Sequence, residues 1–218
     1  LNPFPDITDS LNVRRGNPNL QPELINSFEF GHLANFEKAS LTTNLFYRKV
    51  NGQLDFITIV EDGISYSQPD NLLSAQSYGV EWIGTGEVNE WYSLNGSVTV
   101  FRIAVDGSNI SEEFTNSGFS WNAKVTQDFK LPFGFNFQLA ANYDSPEVEA
   151  QGRDLSQYFI DGTIQKSFLD DRANFSLSVR DIFDTRRFAG TALTNRFSQE
   201  FYSKQETRIV LVSARYNF

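Results

Sequence analysis

The stretch "FGFNFQLAANYD", residues 133–144, alternates from Phe135 onward. Phe135, Phe137, Leu139, Ala141 and Tyr143 take one set of positions. Asn136, Gln138, Ala140, Asn142 and Asp144 take the other. Successive side chains of a strand point to opposite faces, so this is a strand with one apolar and one polar face. A soluble sandwich turns the polar face to water. A membrane barrel turns the polar face to its interior and the apolar face to lipid. Alternation alone does not choose between them.

The same pattern recurs along the chain, and helical periodicity is nearly absent. Strands are expected at residues 24–36, 40–60, 75–88, 91–103, 118–129, 133–144, 155–168, 173–183 and 205–218. Most run about 11 to 14 residues, whereas soluble strands run about 5 or 6 and a tilted membrane strand needs about 9 to 11. The connections alternate without a break. Short turns lie at Glu37-Lys38-Ala39, Asn89-Glu90, Lys130-Leu131-Pro132 and Leu169-Asp170-Asp171. Long loops lie at 61–74, 104–117, 145–154 and 184–204. Short periplasmic turns alternating with long outer loops are a habit of outer-membrane barrels.

Aromatic residues make up 15% of the chain, and they collect at strand ends. Phe36, Trp91, Tyr92, Phe129, Phe133 and Phe168 flank the short turns, and Tyr216 and Phe218 close the chain on that side. Tyr47, Phe101, Phe119, Trp121, Tyr143, Tyr158, Phe183 and Tyr202 mark the opposite ends. Two bands of rings match the girdles at the two interfaces of a membrane. The opening strand then reads with Phe135, Phe137 and Tyr143 toward lipid and Gln138 and Asn142 toward the interior. Lys124, between Ala123 and Val125, and Arg180 take interior positions on their own strands. The fold class is all-β: a transmembrane antiparallel up-and-down β-barrel.

Composition narrows the function. There is no cysteine, hence no disulfide framework, thiolate metal site or cysteine nucleophile. A net charge of −9 argues against nucleic acid as a partner. No apolar run approaches the roughly 18 residues of a spanning helix, which leaves strands as the only way across a bilayer. Natural translation begins with Met, so a chain beginning with Leu1 reads as a processed product or a piece of a longer protein. The one histidine, His32, lies near a short turn, reads as structural or interfacial, and has no nucleophile elbow beside it. The acidic pairs Glu112-Glu113 and Asp170-Asp171 fall in connections rather than facing one cleft. Arg186-Arg187 reads as a hydrated strand end, with an anion site as the alternative. No catalytic residue, metal site or cofactor is expected.

Three stretches carry a family resemblance. "GNPNLQPELINSFEFG", residues 16–31, resembles a Gly-Asn-Pro-x-Leu-x-Pro-Glu segment that leads from an outer loop into a descending strand. "SLSVRDIFDTRRF", residues 176–188, resembles a penultimate strand, with Asp181 where Asn is commoner. "VSARYNF", residues 212–218, is similar to a terminal strand ending on an aromatic. Together they resemble the C-terminal barrel region of TonB-dependent outer-membrane receptors, in flavour the Bacteroidetes type. The resemblance implies that residues 1–218 are the C-terminal part of one barrel domain, about nine strands of a 22-stranded barrel. It implies a plug and a TonB-contacting segment elsewhere, and uptake of a scarce ligand (metal chelate, glycan or vitamin). Its implied partners are outer-membrane lipid, the TonB complex, the barrel assembly machinery through Phe218, and a surface lipoprotein. It also places the C-terminus in the periplasm. A passive or plugless barrel acting as a pore or surface-binding protein is the alternative.

Overall fold

Long alternating segments should pair with their chain neighbours, and in the computed structural model they do. It describes residues 6–195 and 197–218. In chain order the strands are β1 (Asp6–Asp9), β2 (Asn12–Arg14), β3 (Leu24–Asn35), β4 (Ala39–Asn51), β5 (Leu54–Glu61) and β6 (Ile64–Asn71). There follow β7 (Ser74–Asn89), β8 (Tyr92–Asp106), β9 (Thr115–Leu131), β10 (Phe135–Asp144), β11 (Glu147–Glu149) and β12 (Gly152–Asp154). The last are β13 (Gln157–Phe168), β14 (Ala173–Arg180), β15 (Phe188–Leu193), β16 (Ser198–Ser203) and β17 (Ile209–Tyr216). Among the described residues no helix is long and apolar enough to cross a membrane.

Nine strands form one antiparallel sheet in the order β17-β14-β13-β10-β9-β8-β7-β4-β3. These are the nine the alternation marks out, each beside its neighbours in that series, an up-and-down meander. The sheet is open: among the described residues β3 and β17 each have one free edge.

Register keeps the two faces separate across all nine strands. Along one row Ser97, Lys124, Asn142 and Phe159 are cross-strand partners. One position along, Val98, Ala123, Tyr143 and Tyr158 are partners on the opposite face. The apolar face has nothing packed over most of it. Phe119 is 72% exposed and Val212 77%, and Phe28, Phe30, Phe175 and Val210 are exposed as well. A soluble monomer rarely exposes an apolar patch beyond a few hundred Å².

The structure departs from expectation between strands. Residues 40–60 are not one strand: β4 stops at Asn51 and β5 begins at Leu54 in another sheet. Gly52 takes φ +68 at the break, a left-handed conformation that suits Gly, and the chain turns out of the sheet there. The long loops are not irregular either. β5 and β6 form a hairpin whose turn residues Asp62 and Gly63 have φ 50 and 78, the backbone that Asp-Gly favours in two-residue hairpins. β11 pairs with β12 and β15 with β16. Several sheet strands also end differently from expectation. β10 begins at Phe135, after a turn in which Phe133 has φ 63. β14 stops at Arg180, where Asp181 turns to φ 45. β17 begins only at Ile209.

Outer-loop strands make two small sheets, β1-β2-β6-β5 and β11-β12-β15-β16. They enclose the principal apolar core of the molecule. Ile57 (0% exposed) and Leu72 (1%) pack with Ala75, Val105, Phe114 and Ala150. Ala75 and Val105 are cross-strand partners at the outer ends of β7 and β8. Both lie on the polar face, so the outer layer folds over that face at its mouth. A Cβ at Gly118, also on that face, would stand 2.8 Å from a Val148 methyl. Only glycine lets β11 lie so close to the sheet there.

Candidate ligand-facing surface and outer-loop layer

The polar face carries the four residues expected to face the interior, Lys124, Gln138, Asn142 and Arg180. Lys124 and Asn142 are directly paired on β9 and β10. Gln138 lies four residues from Asn142 on the same face, and its Nε2 donates to Asp128 Oδ1 at 2.8 Å. It lines a concavity of about 560 Å³ with Asp128, Lys130, Asn136, Thr163 and Gln165 near the short turns. Arg180 pairs with Ile209 at the outer end of β14. Thus Lys124, Asn142 and Gln138 share one region of the face, and Arg180 stands apart, two strands away from β10.

The girdle residues lie on the other face. Trp91, Tyr92, Phe129 and Phe137 form a chain of stacked or tilted rings beside the short turns, with centroids 4.9 to 6.4 Å apart. Phe168 meets Phe175 edge-on at 5.9 Å, and Tyr216 meets Phe218 edge-on at 5.1 Å. At the outer end Trp121 stacks on Tyr143 at 4.5 Å. Phe135 lies beneath the ammonium of Lys166 at 4.6 Å. Phe101 does not join the outer band: its partners are Gly79 and Ser120, which puts it on the polar face.

The resemblance motifs acquire physical roles. In the first, Gln21 N donates to Asn71 Oδ1, and Asn71 Nδ2 donates back to Gln21 O and to Gly52 O. Glu23 Oε1 accepts from Leu54 N at 2.7 Å, and Asn17 reaches Asp70 at 3.3 Å. The segment therefore clamps both ends of the β5–β6 hairpin to the start of β3. In the second, the buried Asp181 accepts from the backbone N–H of Thr185 and Arg186 and from the hydroxyls of Thr185 and Thr207. That carboxylate organises the turn after β14 and ties it to the segment leading into β17. Arg186 and Arg187 lie over the rings of Phe159 and Tyr202, at 4.7 and 6.0 Å. Both remain exposed to solvent, in keeping with a hydrated strand end, with an aromatic face beneath each.

Sequence reasoning missed the join between the two outer sheets. Thr58 N donates to Gln151 Oε1 at 2.7 Å, and Gln151 Nε2 donates to Thr58 O at 2.8 Å. Beside it gather Asp55 of β5, Glu147 and Glu149 of β11, and Asp154 of β12. Glu147 and Asp154 are direct cross-strand partners, and like charges so placed repel. Burial, then the charges of Asp55, Asp154 and Glu147, push the Glu149 carboxyl up to about 7. Burial, then Asp154 and Asp144, raise Glu147, and burial raises Asp154. Asp55 is raised by burial and by Asp154, against a hydrogen bond from Phe56 N. Arg153 does not relieve them, since it pairs with Val148 on the opposite face of β11 and β12. Among the described residues no group of histidine or acidic side chains is placed to hold a metal ion.

Nine long antiparallel strands with a bare apolar face and a polar face capped at one end define the wall of a membrane β-barrel. The chain belongs to the outer membrane protein beta-barrel family, whose model matches residues 1–216. It is therefore a protein of the bacterial outer membrane. None of the curated proteins matches it in sequence. In fold it is similar to the copper transporter OprC, with TM-score 0.67 and 12% identity over 92% of this chain and 32% of that one. It is also similar to the ferric yersiniabactin uptake receptor FyuA from Yersinia pestis, with TM-score 0.62 and 19% identity over 90% and 30% of the two chains. A third is the ferric-catecholate import receptor Fiu from E. coli K12 in its closed form, with TM-score 0.59 and 15% identity over 93% and 29%. The chain spans about a third of the length of each.

Proposed function

We propose that this chain is the C-terminal barrel section of a TonB-dependent outer-membrane transporter that takes up a scarce ligand, such as a metal chelate, a glycan or a vitamin. The observation that carries this reading is the outer-loop layer folded across the mouth of the polar face around a buried core. A wall that only let solutes pass would need no packed layer over its opening. A receptor needs a rigid outer surface on which ligand is recognised. The free edges of β3 and β17 add support: unpaired backbone is costly in lipid, so further strands of the same protein complete the wall. The similar structures are about three times as long and are named as a transporter, an uptake receptor and an import receptor.

In this reading the apolar face meets lipid, with Trp91, Tyr92, Phe168 and Tyr216 at the periplasmic interface and Trp121 and Tyr143 at the outer one. Lys124, Gln138, Asn142 and Arg180 face the interior, where they meet ligand or plug. The C-terminus is periplasmic, and Phe218 is the signal read by the barrel assembly machinery. TonB acts through a region outside residues 1–218, and a surface lipoprotein is a further partner. The chain performs no covalent chemistry.

The test begins with the intact mass and N-terminal sequence of the protein extracted from membranes in detergent. A mass several times 24.8 kDa, with a plug-like sequence upstream, is expected. Uptake of ferric chelates, vitamins or glycans by cells carrying the full protein should then stop when the TonB complex is removed. Uptake that continues without it would make the protein a passive barrel.

A further inference from the structure

We propose that the apolar face carries a phospholipid site at its short-turn end, where Lys166 holds an anionic headgroup and the groove beside it takes the first part of an acyl chain. The site belongs to the inner leaflet, a placement that rests on the orientation proposed above.

Lys166 is a cation on a face that is otherwise apolar at this level. Its cross-strand partners are Phe135 and Phe175. Its ammonium lies 4.6 Å from the centre of the Phe135 ring and 4.9 Å from that of Phe168. Two ring faces fix it in place without neutralising it. Among the described residues no carboxylate is within ion-pair distance of it. A charge on a lipid-facing wall is tolerated near an interface and costs most at the bilayer centre. Lys166 is two residues from the end of β13, about 7 Å along the strand, which is headgroup level.

Beside it runs a groove of about 360 Å³ lined by Phe135, Ile164, Phe168, Phe175, Leu177 and Val212. Its wall is almost wholly carbon. A soluble anion would satisfy Lys166 and leave the groove exposed. An apolar chain would fill the groove and leave the cation unpaired. An amphiphile with a negative head and an acyl tail answers both, and an anionic phospholipid is the one a membrane supplies. The contrast is at the opposite end of the sheet. There Arg102 already donates to Ser117 Oγ at 3.0 Å and lies over Phe119. Lys49 is flanked there by Asn26 and Gln76.

The test uses the full-length protein in mild detergent, titrated with dioleoyl phosphatidylglycerol or dioleoyl phosphatidylcholine and read by native mass spectrometry. One phosphatidylglycerol should be retained about tenfold better than phosphatidylcholine, the scale of one charge-assisted contact. Lys166→Gln should bring the two lipids level, Lys166→Arg should keep the preference, and Lys49→Gln should leave it unchanged. Equal retention of both lipids by the unaltered protein, or an undiminished preference in Lys166→Gln, overturns the proposal. Heat-dependent migration on a gel verifies that each variant has formed its barrel. Should Lys166→Gln fail to assemble, Leu177→Phe narrows the groove and keeps the cation. It should lower retention of both lipids, and no change would sink the acyl-chain part. Displacement of the lipid by millimolar glycerol phosphate would overturn the lipid in favour of a soluble anion. Orientation is read separately, with Asp170→Cys and a membrane-impermeant thiol reagent. Labelling only after the outer membrane is opened supports the inner leaflet. Labelling on intact cells overturns that leaflet and leaves the retention result standing.

Discussion

The nine-strand sheet and the outer-loop layer are made from one chain and obey opposite rules. In the sheet the large apolar residues point away from the protein, and Phe119 and Val212 are mostly exposed. In the outer layer one set points inward, with Ile57 and Leu72 sealed, while Phe56, Phe188 and Leu193 stay exposed at its surface. The same residue types are sorted by what lies outside them, lipid for the sheet and water for the loops. The boundary is sharp. Within a few residues β4, with Leu45 exposed, gives way to β5, with Ile57 buried.

This contrast can be broken from either side. The largest effect is expected from Ile57→Ala, which leaves a cavity among Leu72, Val105 and Phe114 and costs the outer layer about 2–5 kcal/mol. Amide hydrogen exchange should quicken in β5, β6 and β11 while the nine sheet strands keep their protection. Uniform loss would mean that the two regions unfold as one. Next is Leu139→Arg, in the middle of the apolar face, expected to cost about 2–4 kcal/mol on folding into vesicles. Thr126→Arg, on the polar face of the adjoining strand, should cost under about 1 kcal/mol. Equal costs would mean that the faces are not separated by solvent.

A third prediction concerns pH and touches only the outer layer. Unfolded, Glu149 releases its proton near its ordinary 4.5; folded, it keeps it until about 7. The folded form binds more protons across that window, so the layer loses stability as pH rises from about 4.5 to about 7 and is level above it. Exchange at the Thr58–Gln151 join should accelerate over the same range, and Glu149→Gln should flatten the profile. An unchanged profile in that variant would assign the pH response to another group. The smallest effect belongs to a short turn. Leu169, Asp170 and Asp171 have φ 56, 54 and 66, and leucine is the least suited of the three to that backbone. Leu169→Gly should stabilise the sheet by about 0.5–1 kcal/mol, read from its denaturant midpoint.

The sheet was legible in the sequence because each strand carries its own two-residue period, which needs no distant partner to be seen. Lys124, Gln138 and Asn142 could be assigned to a face for the same reason. The outer layer was not legible, since its strands are short and its contacts distant. β11 and β12 span three residues each, too few for a period. The acidic group unites Asp55 with residues 147 to 154, which meet only once the sheet is in place. One local signal was available and masked. Asn51-Gly52 is a turn dipeptide, but alternating apolar residues on both sides hid the break between β4 and β5. Phe101 was misjudged because its nearness to a strand end was read without the parity that sets its face.

The join between Thr58 and Gln151 has a kinetic meaning as well. Its partners are 93 residues apart, and β7, β8, β9 and β10 lie between them in the chain. Closing so long a loop before those strands are in register would sacrifice chain entropy with nothing to offset it. The join therefore forms late, after the wall beneath it. A closed outer layer is in that sense a record of completed assembly: the cap cannot be seated on a wall that has not yet been built.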